Sequence, residues 1–279
     1  MSTSKHPIAL RLERQIGRYA DSGTVLLATV MCLPLIDGIF PALVLAGAID
    51  SPAGIVQVGL LVFGGSATLA VILAEMNGTR REAIRSVLLV SVLVVPLAAV
   101  EAALAPTIAG VLDLVVFERF AALVILAVAA KTASARIGEL LPRPAVIVGL
   151  GFLGSLDPAG AELVFVTDPM LVVKGAAAAL VGVTFALAVA AFEPWLRDLL
   201  DIDRFRFGSA IALGVLPFSI LGITPGSAPL AVLAVTALLA FDPDSMESAD
   251  GRAERESVVA DGGEDDHGEP SGPDRAPWL

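Results

Sequence analysis

A single cysteine, Cys32, excludes any internal disulfide and any redox relay that needs a cysteine pair. The two histidines, His6 and His267, sit in the terminal segments, so the long apolar part between them lacks the usual ligand for haem or zinc. Lysine is scarce: Lys5, Lys131 and Lys174 stand against fifteen arginines. Charged residues make up only 17% of 279, too few for an ordinary soluble surface. The chain has no Gly-x-x-x-x-Gly-Lys phosphate loop, no His-Glu-x-x-His and no Gly-x-Ser-x-Gly. Two aspartates in apolar surroundings suggest an intramembrane aspartyl protease, but the Gly-x-Gly-Asp element is absent. Gly149-Leu-Gly151 is followed by Phe152, and Tyr19, the only tyrosine, is far from either aspartate. No catalytic residue, cofactor site or metal site is assigned, and the chain is not read as an enzyme.

What is present is apolar length. Hydrophobic residues reach 56% and mean hydropathy is +0.83. They come in long runs rather than in an amphipathic pattern, which predicts an all-α polytopic membrane bundle. Eight spans are expected: Thr24–Ile49, Ile55–Ala74, Val87–Leu104, Leu114–Ala133, Ala145–Val166, Leu171–Phe192, Phe207–Leu221 and Leu230–Phe241. Residues 1–22 form a basic lead-in, either an interfacial helix or an ordinary positive flank, and predict no cleavable signal peptide.

The charge divides along the chain. From Phe241 onward there are 12 acidic and 3 basic residues; the preceding part has 17 and 15. The segment 242–279, poor in aromatics and rich in acids, Gly, Ser and Pro, is predicted to be disordered. An acidic, lysine-poor chain fits a high-salt cytoplasm and predicts no nucleic-acid partner. Arginines concentrate in the lead-in and in the loops after spans 2, 4 and 6, which places both termini in the cytoplasm by the positive-inside rule. A seven-span alternative would place the acidic tail outside.

Slid along itself, the chain repeats. Asp37 falls on Asp157 at offset 120; Asp50 on Asp168, Gly64 on Gly182 and Glu75 on Glu193 at 118; Arg85 on Arg206 and Pro96 on Pro217 at 121. These types are rare here, so the matches predict two tandem four-helix units, 23–133 and 134–241, in parallel orientation.

The candidate site follows from that repeat. Met31–Gly47 carries Asp37 between Pro34 and Pro41, and Gly149–Thr167 carries Asp157 beside Pro158. An ionisable group at such depth costs at least about 2.5–3.5 kcal/mol, so it is a functional hypothesis by default. Face to face, Asp37 and Asp157 would carry a proton or bind a cation, with carbonyls freed at Pro41 and Pro158 as further oxygen ligands. The competing reading makes each aspartate a cap at a helix break. Glu101 and Glu162 either line an access path or sit at interface level. The predicted function is a small-solute or ion transporter whose partners are the lipid bilayer and a small solute, proton or cation. The rival is a non-transporting membrane scaffold whose acidic tail recruits partners.

The stretches CLPLIDGIFPALVLAGAI, VGLLVFGGSATLAVILAEM and GFLGSLDPAGAELVF resemble an uncharacterised family of haloarchaeal multi-pass membrane proteins. That resemblance implies a cell-membrane location. A fainter likeness is to small transporters of the lysine-exporter type, which also repeat a proline-broken first helix.

Overall fold

The computed structural model describes residues 22–76, 78–157 and 168–241. The lead-in before Ser22, Pro158, Glu162, the rest of 158–167 and the acidic tail 242–279 lie outside the described residues. Among the described residues every named element is a helix, and the only β features are two isolated bridges, Leu112 with Leu156 and Leu200 with Phe241.

The order is α1 (Ser22–Ile36), α2 (Ile39–Leu45), α3 (Pro52–Val58, continued as a π-helix over Gly59–Phe63), α4 (Ser66–Ala70, continued as a π-helix over Val71–Glu75) and α5 (Arg80–Ala109). Then come α6 (Leu114–Ala133), α7 (Ala135–Leu140), α8 (Pro144–Gly154), α9 (Pro169–Leu199), α10 (Ile202–Ile220) and α11 (Ala228–Leu239). Local chemistry sets many of the starts. Ser51 Oγ accepts from Gly54 N at 3.0 Å, with Pro52 at the first helical position, where its missing N–H costs nothing. Thr79 and Glu82 form a reciprocal capping box on α5. Asp113, Asp168 and Asp201 cap α6, α9 and α10 by accepting backbone N–H groups at 2.9–3.2 Å.

Helices α5 and α9 are each long and apolar enough to cross a membrane. The pairs α1–α2 and α3–α4 pass the same test as bent units, with bends of 41° and 46°, giving two to four candidate spans. Their outer faces fit a lipid solvent. On α5, Val87, Val90, Val94 and Ala98 are buried while Leu88, Val92 and Leu93 are exposed. Such contiguous exposed aliphatic surface is foreign to a protein facing water.

Three expectations need correction. The fifth expected span, Ala145–Val166, does not run unbroken through Asp157: α8 stops at Gly154 after 11 residues. Ser155 donates from both N and Oγ to Gly151 O, and the chain then bridges from Leu156 to Leu112. At 1.5 Å per residue α8 covers only about 17 Å, short of the roughly 30 Å hydrocarbon core. The sixth, Leu171–Phe192, is longer than expected. Helix α9 absorbs much of the charged loop because Glu193 and Arg197, one turn apart, pair at 2.6 Å within it.

The tandem duplication also lacks support in the packing. Helix α10 lies along α11, but the equivalent pair α5 and α6 has no comparable interface. Both α1 and α2 pack on α5, whereas α8 has no comparable interface with α10. A single dominant core unites the halves instead, with α5 against α9 and α6 against α10.

Helix α9 grips the second bent span along its length. Lys174 Nζ donates to Asp50 O at 3.1 Å and lies 3.6 Å from Asp50 Oδ1 at one end. Arg197 donates to Met76 O at 3.1 Å at the other. Between them a Cβ on Gly182 would lie 2.3 Å from Phe63 Cβ, so only glycine permits this approach. Small residues drawing backbones together are the ordinary means of helix association in lipid, where burial of apolar surface supplies no net force.

Candidate functional site

The first break has two causes. Pro34 has no N–H, so Val30 O loses its α-helical donor. Two residues after α1 ends, Gly38 takes φ +74, the left-handed region that favours glycine. Asp37 lies between, with its N–H given to Leu33 O at 2.8 Å. Its carboxylate is half-buried and makes no hydrogen bond or ion pair among the described residues. Pro41 lies in the first turn of α2, half-buried.

The second break is built from glycine. A π-helical turn ends at Phe63, Gly64 and Gly65 interrupt the helix, and α4 restarts at Ser66. Thr68 Oγ1 donates to Phe63 O at 2.8 Å, satisfying a carbonyl that the break frees. The chain turns between the two bent units at 46–51.

A cavity of about 190 Å³ lies where the two breaks meet. Pro34 and Ile39 come to it from the first bent unit, Gly65 and Ser66 from the second. Helix α6 closes it with Ile125 and Thr132, and α10 with Ser209 and Leu213. It lies toward the arginine-bearing end of the bundle. Thr132 is the penultimate residue of α6, and its carbonyl accepts from Arg206 Nε at 3.3 Å.

No charged side chain lines this cavity; its polar side chains are all hydroxyls. Thr68 and Thr132 already donate to backbone carbonyls. Ser66 and Ser209 are each 4% exposed and make no hydrogen bond among the described residues. Both residues line the cavity, so these two hydroxyls are available to whatever enters it. Sequence reading missed both, because a lone serine among Gly and Ala looks like a packing residue. It also missed Gln57, 2% exposed in α3, whose amide donates to Gly226 O.

Glu101 lies in α5 beside Ala102, which with Ala98 packs on Gly175 of α9; Phe40 of α2 reaches the same place. Its Oε2 is shielded from solvent and has no hydrogen-bond partner among the described residues. An unsatisfied buried polar atom costs about 1–3 kcal/mol, more when charged, which a purely structural carboxylate would not be expected to bear.

The two aspartates sit at different turns. Gly38 packs on Val148, near the middle of α8, with a Cβ there 3.2 Å from Val148 Cγ1. From Val148 to the end of α8 is about 9 Å, and Asp157 follows three residues later. Asp157 is exposed, and its N–H donates to Val111 O at the turn between α5 and α6. Among the described residues no group of three or more His, Cys, Asp or Glu is placed to hold a metal ion.

Residues 94–221, a little under half of the chain, match the model of a family of unknown function, DUF5794. The matched stretch runs from within α5 to the end of α10. It includes Glu101 and Ser209, and it leaves out both bent units, Asp37 and Ser66. No curated protein and no solved structure matches the chain.

Proposed function

We propose that this chain is an integral membrane carrier, not an enzyme, that moves a small solute with a coupled proton or cation. The observation that carries the reading is the pair of consecutive broken helices around one cavity. Discontinuous helices with a site at the break are the usual construction of secondary transporters. In this reading the arginine-rich end of the bundle faces the cytoplasm, with both termini there.

The roles divide by position. The cavity holds the solute. Asp37, one residue before the left-handed Gly38, and Glu101, with its shielded oxygen, carry the coupling proton or cation. Pro41 keeps the first bent unit from continuing as one straight rod. Asp157 acts separately, at the opposite end from the arginines; Pro158 and Glu162 follow it outside the described residues. Helix α9 holds the second bent unit at both ends, through Lys174 and Arg197, so releasing one latch while keeping the other would tilt that unit across the cavity.

The test uses full-length protein in liposomes with a pH-sensitive dye inside. Pulses of small neutral, anionic and cationic solutes are applied outside. At least one solute should drive proton movement above that of protein-free vesicles, and Asp37→Asn should cut this rate at least tenfold. Proton movement by the variant equal to that of the unsubstituted protein, or no response to any solute, would remove Asp37 from the mechanism or end the carrier reading.

A further inference from the structure

We infer that the cavity between the two helix breaks takes a neutral, largely apolar small molecule bearing one hydrogen-bonding group, and rejects ionised ones. This inference rests on the carrier reading for its purpose but not for its chemistry. Its support is the lining. Aliphatic side chains and Pro34 form most of the wall, and no acid, base or amide side chain reaches it. An ion entering would lose its hydration and find no opposite charge, which costs several kcal/mol. A neutral molecule with one polar end loses little, because Ser66 and Ser209 can replace the water on that end.

Hydroxyl chemistry narrows the class further. The protons of Thr68 and Thr132 are given to Phe63 O and Val128 O, so these two groups can only accept. Ser66 and Ser209, each 4% exposed and unengaged among the described residues, can donate or accept. The site therefore suits a hydroxyl or similar group that both gives and takes a hydrogen bond. Size suits a small molecule. The volume is about 190 Å³, and a dry cavity of about 150 Å³ is enough to hold benzene. A single six-membered ring with one substituent fits. Such molecules cross bilayers unaided, so the carrier would supply direction against a gradient rather than permeability.

The experiment measures equilibrium binding of phenol, benzoate and benzylammonium to the full-length protein in nanodiscs, with empty discs subtracted. These three share a ring and differ in charge. Phenol should bind saturably and at least tenfold more tightly than either ion. Ser66→Ala and Ser209→Ala should each weaken phenol about three- to tenfold, the effect of one lost hydrogen bond, without lowering the unfolding temperature. That last point separates a ligand-facing hydroxyl from a structural one. Leu213→Phe, which fills the cavity, should abolish phenol binding. Benzoate or benzylammonium binding as tightly as phenol would overturn the inference, as would phenol binding indifferent to all three substitutions. Phenol binding as expected, with no solute-driven proton movement in liposomes, would leave this site standing and end the carrier reading.

Discussion

Gly182→Leu is expected to prevent the bundle from assembling. Even a methyl group at position 182 would lie 2.3 Å from Phe63 Cβ and 2.9 Å from Gly59 O, at the centre of the contact between α9 and the second bent unit. The obstacle is backbone and Cβ, not the end of a side chain that could swing aside. Alanine at a helix interior gains up to about 1 kcal/mol over glycine, so propensity works against the effect. Overpacking of a tight core costs about 1–3 kcal/mol or more, and leucine adds three further carbons to the clash. The clash wins. Thermal unfolding in detergent, followed through Trp195 fluorescence, should show no cooperative transition for Gly182→Leu and a transition lowered by several degrees for Gly182→Ala. Gly149→Ala is the control, since nothing lies within 4 Å of its Cβ, and its midpoint should hold or rise. An unchanged midpoint for Gly182→Ala would mean that α9 does not pack on this unit as described.

Glu101→Gln is expected to abolish proton coupling while leaving the protein folded. Removing one member of a buried ion pair usually costs about 3–5 kcal/mol, because the other charge is stranded. Glu101 has no such partner, and its Oε2 is already unsatisfied among the described residues. Replacing the carboxyl by an amide of the same shape therefore removes the ionisable group and leaves one shielded polar atom, as before. The unfolding midpoint should stay within a few degrees of the unsubstituted protein or exceed it. Solute-driven proton movement should fall at least a hundredfold, because an amide does not take up and release a proton at ordinary pH. Phenol binding should persist. A large fall in midpoint would make Glu101 a structural group, and retained proton movement would exclude it as a carrier.

The apolar runs, the proline and glycine breaks in the first segment and the charged caps were legible because each rests on local chemistry. Pro34, Gly38 and the Gly64–Gly65 pair announce interruptions wherever they occur in an apolar helix. The cavity was not legible, because Ser66 and Ser209 are 143 positions apart in the chain. Only the packing of α4 against α10 brings them to one cavity. The Asp-Pro motif is confirmed at one of its two places. Asp168-Pro169 does begin a helix, capped by the aspartate. Asp157 has the same motif, but the residues that follow it lie outside the described ones. The repeat misled because charges at helix ends recur in any chain of similar membrane segments. Glu101 shows the opposite case: the sequence placed it correctly in the half of α5 far from the arginines, and only the packing of Ala98 and Ala102 on Gly175 revealed its shielded oxygen.

The central claim is that the two broken helices enclose a site that opens to each side of the membrane in turn. It can be tested without knowing the solute. Ser66→Cys in a Cys32→Ala background places the only thiol of the full chain at the second break, facing the cavity. A membrane-impermeant thiol reagent is then applied to sealed vesicles from one face, and separately from the other, with the fraction modified read by mass spectrometry. The carrier account expects modification from both faces, with phenol slowing each. Modification from one face alone, or from neither, would contradict it and leave a membrane protein with a closed internal cavity.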